Sequence, residues 1–184
     1  MSNVNKILEG SEAPPNIWNG GVWNGGDFVG VWHAGRFKSG TFKGTWKDGV
    51  WQGGDFLGGT WRDGEWRNGK WLDGHWDYGL WRAGTWYRGN WLGGEWRGGT
   101  WKDGMWQCGT WNGGVWEGGE HHGGVWRGGE WRGGTWNFGS WHGGLWLGGT
   151  WRGGKWHGGT WKTGYIYNSK GKGGLSSVSP PEHF

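Results

Sequence analysis

Apolar positions along this chain fall on a lattice of five. From Trp46 to Trp161 every fifth residue is a large ring, and the series continues towards the N-terminus through Phe42, Phe37, Trp32, Phe28, Trp23 and Trp18. Of these 30 anchors, 25 are Trp, four are Phe (Phe28, Phe37, Phe42, Phe56) and one is His121. Two residues before each anchor stands Gly, with Asn16 before Trp18 the exception, so the unit reads Gly-x-Trp-x-x. A period of five matches neither a helix nor a plain strand, and a Gly in every unit would cost a helix about 1 kcal/mol each time. What five residues can build is one short extended side, x-Trp-x, followed by a corner where Gly accepts backbone angles closed to other residues. Within such a side the anchor points one way and its two neighbours the other. Those neighbours include Arg62, Glu65, Arg67, Glu95, Thr100 and Lys102, types that rarely bury unpaired. The anchors must face inward, and repetition winds the chain into a coil with a tryptophan core.

Composition narrows the class further. Gly supplies 49 of the 184 residues, but with four Pro and a period of five the chain is not collagen. Aromatic residues make up 19%, against the depletion that marks disordered segments. Residues 1–15 form a polar leader ending in Ala13-Pro14-Pro15, and 168–184 a Gly/Ser/Lys/Pro tail; both are expected to be flexible. The domain reading is thus 1–15 leader, 16–167 solenoid, 168–184 tail. Gly164-Tyr165-Ile166-Tyr167 keeps the Gly but replaces Trp with Ile, as expected of a terminal cap. Two units are one residue short, Phe28-Val29-Gly30-Val31 and Phe42-Lys43-Gly44-Thr45, and together with the smaller Phe rings they predict a narrowed N-terminal end.

The repeat resembles that of pentapeptide-repeat proteins, which place Leu or Phe at the central inward position of each side and a small residue, usually Ala, two before it. Trp and Gly fill those places over residues 16–167. The resemblance implies an all-β, single-stranded, right-handed quadrilateral β-solenoid with four sides per coil, here with a Trp-filled core. It also implies, as an alternative to a structural role, a regulatory one, since some members protect DNA gyrase by mimicking DNA with an acidic rod. Trp in place of Leu departs from the family pattern, and so does the scarcity of Asp or Asn before the anchor. The Gly-Trp pentads are also similar, more weakly, to those of virion-associated proteins of tailed bacteriophages.

Four sides per coil stack residues 20 apart. That interval aligns Arg62, Arg82, Lys102, His122, His142 and Lys162 into one basic and imidazole column, a candidate anion-binding face. Thirty anchors then make about 7.5 coils and a rod about 36 Å long. Splayed, solvated side chains beside Asp63 and Asp103 are the plain reading of the column; a stripe for phosphate, nucleic acid or acidic glycans is the functional one. Glu120, His122 and His142 are the cluster able to offer metal ligands. Their spacing copies no metal motif, and a tolerated variant repeat is the expected reading, with no metal or other cofactor. Cys108 sits at a corner position as a lone thiol and reads as inert.

No nucleophile triad, paired-carboxylate motif or phosphate loop stands apart from the repeat, and the Gly-Gly pairs are corners with no helix behind them. The expectation is a non-enzymatic structural or adhesive solenoid, a rigid scaffold or interaction surface in a larger assembly, with a bacteriophage virion or tail as the candidate. Protein partners follow from that reading, and an end-to-end homodimer through the Tyr165–Tyr167 cap is a further option. The alternatives are a macromolecule-binding regulator acting on a topoisomerase or nucleic acid, and an anionic-glycan module. A net charge of +4 speaks against acidic DNA mimicry and is too mild to make nucleic acid the expected partner. No apolar stretch is long enough for a signal peptide or membrane span, so synthesis in the cytoplasm, with assembly into a virion, is the expected localisation.

Overall fold

A computed structural model of the chain describes residues 16–167 and, for the backbone, 173–176; the expected leader lies outside these residues. The structure is all-β: short strands, most of two residues and, from Asn16 to Trp161, each ending on an anchor, stack in parallel into a β-solenoid of about ten turns. Strands pair at an interval of 15 residues. Thr60 lies beside His75 and His75 beside Asn90 on one side, while Glu65, Leu80 and Glu95 line up on the next. The coil therefore has three sides, and the four-sided coil with its stacking by 20 is corrected. Its five-residue sides and inward anchors hold; the rod lengthens to about 48 Å at about 4.8 Å per turn. We refer to the sides anchored by Trp61, Trp66 and Trp71, with everything stacked on them, as the first, second and third faces.

Ring geometry accounts for three sides. Each indole stacks flat on the one a turn away, as Trp66 on Trp81 at 4.7 Å and 5°, and meets its neighbours within the turn edge to face, as Trp61 and Trp66 at 5.8 Å and 73°. Both are favoured aromatic contacts, and three rings set edge to face close around the axis. A fourth side would move opposite sides apart and open a gap along the axis. From Trp32 to Trp146 the Trp anchors are fully buried.

Two backbone hydrogen bonds tie each side to the turn before it. Leu80 N–H donates to the Gly64 carbonyl at 2.9 Å, and Arg82 N–H to the Trp66 carbonyl at 2.8 Å. The first of these fixes why Gly precedes the anchor. Gly99 has φ +104°, and a Cβ on it would stand 2.9 Å from the Gly84 nitrogen and closer still to the Gly84 oxygen, the acceptor for Thr100. The small residue thus makes room for the neighbouring turn's backbone more than for the ring. Where Asp or Asn precedes this Gly, its side chain accepts from the Gly amide, as Asp63 from Gly64 at 2.7 Å and Asn68 from Gly69 at 2.8 Å. Gly99→Ala is expected to cost about 3 kcal/mol, from a disfavoured φ and a backbone clash. Gly98→Ala, whose added methyl would meet nothing closer than the Arg82 carbonyl at 3.5 Å, should cost less than about 1 kcal/mol. Chemical denaturation of the two variants provides the comparison.

The two short units make the first turns 14 residues long. Trp18, Trp32 and Trp46 pair in sequence, and the interval returns to 15 between Trp46 and Trp61, with a register shift between Phe42 and Lys43. At the short units the strand runs through the corner, giving Asp27–Trp32 and Thr41–Trp46 six residues each, and the full-length unit paired with the second does the same as Asp55–Trp61. Phe28, Phe42 and Phe56 stack in one column at this tightened end. At the other end Gly164–Tyr167 pairs in parallel with the turn below and antiparallel with Gly173–Ser176. The segment expected as a tail from residue 168 therefore contributes a closing strand; its remaining residues lie outside those described. Both edges of Gly164–Tyr167 are paired within the chain.

Candidate interaction surface

The 15-residue turn disperses the column expected from stacking by 20. Arg62 and His122 lie on the first face, Arg82 and His142 on the second, Lys102 and Lys162 on the third. Each has other neighbours than those predicted. Arg62 is followed one turn on by Asp77, whose amide donates to the Trp61 carbonyl. Lys102 stands between Tyr87, with its Nζ 5.7 Å from the ring centre, and Glu117, 3.4 Å away. The six-residue anion-binding face is accordingly withdrawn as a continuous stripe.

The structure does not bring Glu120, His122 and His142 together. His122 Nε2 does lie 3.0 Å from Glu120 Oε2, but His142 sits on a different face, stacked on His157 at 4.4 Å. Among the described residues no group of three or more His, Cys, Asp or Glu could hold a metal ion. Cys108 is an exposed free thiol at a first-face corner.

A different basic column emerges at the true interval. Following the second-face anchors come Arg67, Arg82 and Arg97, then Asn112, then Arg127, His142 and His157, each amide bonded to the anchor one turn below. Beside them on the same face run Glu65, Leu80, Glu95, Thr110, Val125, Ser140 and Lys155 in register. The two carboxylates in this row grip the arginines. Glu65 contacts Arg82 Nε and lies 3.2 Å from Arg67 Nε, and Glu95 lies 3.0 Å from Arg97 Nε. Asn112 bridges upward, donating to Glu95 at 3.0 Å and accepting from Arg127 at 3.3 Å. Burial pushes the Glu65 carboxyl up, but the Arg67 and Arg82 guanidiniums outweigh it and hold the group below the usual carboxylate range. These pairs are largely exposed and contribute little to stability; their effect is to fix the forks in position.

The charge is unevenly shared among the faces. Flanking the second-face anchors are seven Lys or Arg against two carboxylates; the corresponding ratios are three to two on the first face and five to four on the third. The corners carry Arg88 against Asp48, Asp63, Asp73 and Asp103. An open groove runs along the corner between first and second faces, lined by Asp48, Val50, Asp63, Glu65, Leu80 and Glu95. The arginines occupy the opposite edge of the second face, and from Thr110 to the C-terminal end of the solenoid that face and both its corners carry no carboxylate. Sequence reading missed this column because it used the wrong interval; the signal was the residue after every third anchor.

His121 is the one break in the ring core. It is fully buried in the first-face column, stacked on Trp136 at 3.9 Å but 6.1 Å from Trp106. Its Nδ1 lies 3.2 Å from the Phe138 carbonyl, the same relation, 17 residues on, in which the Trp66, Trp81 and Trp106 indoles donate to Ala83, Gly98 and Gly123. Since a carbonyl only accepts, Nδ1 carries the proton. Nε2 is buried with no partner. Burial pushes the imidazole pKa down from 6.5 to about 3, against the opposing effect of the Phe138 bond and with a smaller downward push from His122, so the ring is neutral near pH 7.

Comparison with protein-family models, curated proteins and solved structures finds no match. The class is therefore defined by the fold itself: a parallel β-solenoid of five-residue sides around a buried Trp cluster, consistent with a pentapeptide-repeat β-helix.

Proposed function

We propose that this chain acts without enzymatic chemistry, as a rigid rod carrying interaction surfaces within a larger protein assembly, and that the assembly is the virion of a tailed bacteriophage. The observation that carries the reading is the aromatic core, with an imidazole at His121 and an indole or phenyl ring at each other anchor from Trp18 to Trp161. From Trp18 to Trp161 each side commits its inward position to a ring and leaves its outward positions as in-register ladders on the surface, an arrangement suited to holding distance and presenting faces. Stacked repeats of this kind contact only their neighbours and extend along one axis, forming long surfaces for partners. The similarity of the Gly-Trp pentads to virion-associated proteins supports the choice of assembly. Density-gradient purification of particles from a producing culture, followed by immunogold labelling against this chain, should place the protein on particles. Recovery of all the protein as a free monomer in the soluble fraction would overturn the reading.

A further inference from the structure

We infer that the arginine edge of the second face is a docking strip for a linear acidic polysaccharide, one bearing sulfate or carboxylate groups along its length. The inference stands apart from the rod's place in any assembly. It begins with the concentration of charge: the flanks of this face hold five more cations than anions, more than the net charge of the whole chain. Four of the cations, Arg67, Arg82, Arg97 and Arg127, stand in one column, a run of about 19 Å at about 4.8 Å per turn, with Asn112 between the third and fourth.

The carboxylates shape the strip rather than cancel it. Glu65 and Glu95 hold Arg82 and Arg97 by Nε, which leaves the terminal guanidinium nitrogens of both for an external anion in fork geometry. Asn112 and Arg127 continue the edge, and His142 and His157 complete it in the region without carboxylates, with Lys155 across the face in the neighbouring row.

The shape of the strip selects the polyanion. Phosphates of a duplex wind away from a straight line, so only a short arc would meet these arginines. A single-stranded nucleic acid needs aromatic platforms for its bases, and the positions flanking the second-face anchors include no Phe, Tyr or Trp. A straight, charged sugar chain lying parallel to the axis meets successive rungs with no need for stacking.

The test measures binding of heparin to the full chain by isothermal titration calorimetry across a salt series, with neutral dextran and 20-base-pair and 20-nucleotide DNA in parallel. The expected result is binding to heparin that weakens steeply with salt, no binding to dextran, and DNA binding at least about tenfold weaker. The triple variant Arg82→Gln/Arg97→Gln/Arg127→Gln should lose at least about tenfold in heparin affinity and flatten the salt dependence. Arg62→Gln/Lys102→Gln/Arg152→Gln removes the same charge from the other two faces and should lose less than about threefold. Arg127→Gln alone, which leaves the three Glu-held arginines intact, should give a smaller loss in the same direction and serves if the triple variant does not fold. Equal losses in the two triple variants, DNA binding as tight as heparin, or no heparin binding would each overturn the inference.

Discussion

Trp101→Ala is expected to destabilise the solenoid by about 4 kcal/mol, near the upper end for a single core substitution. Trp101 is fully buried and loses four ring contacts at once. It stacks on Trp86 and Trp116 at 4.7 and 4.8 Å and meets Trp96 and Trp106 edge to face at 6.0 and 5.9 Å. The void cannot collapse, because the turns on either side are held apart by backbone ladders at a fixed spacing. Trp101→Phe should cost markedly less, since the same column already accepts a phenyl ring below an indole at Phe56 and Trp71, 4.1 Å apart. Trp23→Ala, at the partly exposed end of the stack, should cost less than half as much as Trp101→Ala. Urea unfolding of the three variants gives the order; equal losses at Trp23 and Trp101 would mean that the mid-rod stack is not what holds the fold.

The second large effect is a dependence of stability on pH set by His121. Its pKa is depressed to about 3 in the folded chain and returns to its ordinary value on unfolding, so between those two values the unfolded state binds more protons. Stability from this residue is fully present above pH 6.5, falls as pH drops, and is exhausted near pH 3. The slope approaches about 1.4 kcal/mol per pH unit and the whole window amounts to about 5 kcal/mol. The cause is desolvation: protonating Nε2 would place a charged N–H in the ring core with no acceptor. His121→Trp restores the ring lattice, fills the space that leaves Trp106 6.1 Å away, and should remove the slope while raising stability at pH 7. Carboxylates and exposed imidazoles titrate alike in both proteins, so the difference between their unfolding free energies across pH 3 to 7 isolates His121. A difference that does not change with pH would contradict the buried neutral ring.

Inward direction, side length and the need for Gly were all legible in the sequence because each is enforced locally. Charged neighbours fix which way Trp61 or Trp101 points, and a five-residue spacing fixes the side. The number of sides per turn was not legible from the bulk of the repeat. Identical inward Trp residues carry no phase, and outward positions such as Arg82 and Lys102 tolerate almost any polar residue, so columns read from them have little power to choose between 15 and 20. The irregularities do carry phase. The short units begin at Phe28 and Phe42, 14 residues apart, which is one turn of three sides with one residue missing; in a four-sided coil the same place would recur after 19. Of the candidate site, residue types were visible but their grouping was not, since the second-face arginines assemble only once the turn length is known. Gly173–Ser176 was also missed, because its composition is that of a linker and only pairing with Gly164–Tyr167 makes it a strand.

A three-sided turn built from interchangeable pentads makes length and orientation separately adjustable. Gain or loss of three consecutive units would change the reach of the molecule by a single layer and leave every later side facing as before. Gain or loss of one unit would act as a dial, turning everything beyond it by about a third of a revolution and swapping the arginine ridge with its neighbour. A gene of this kind can therefore re-aim the part of its product beyond the change by a fifteen-nucleotide slip, with ring still stacked on ring through the interior.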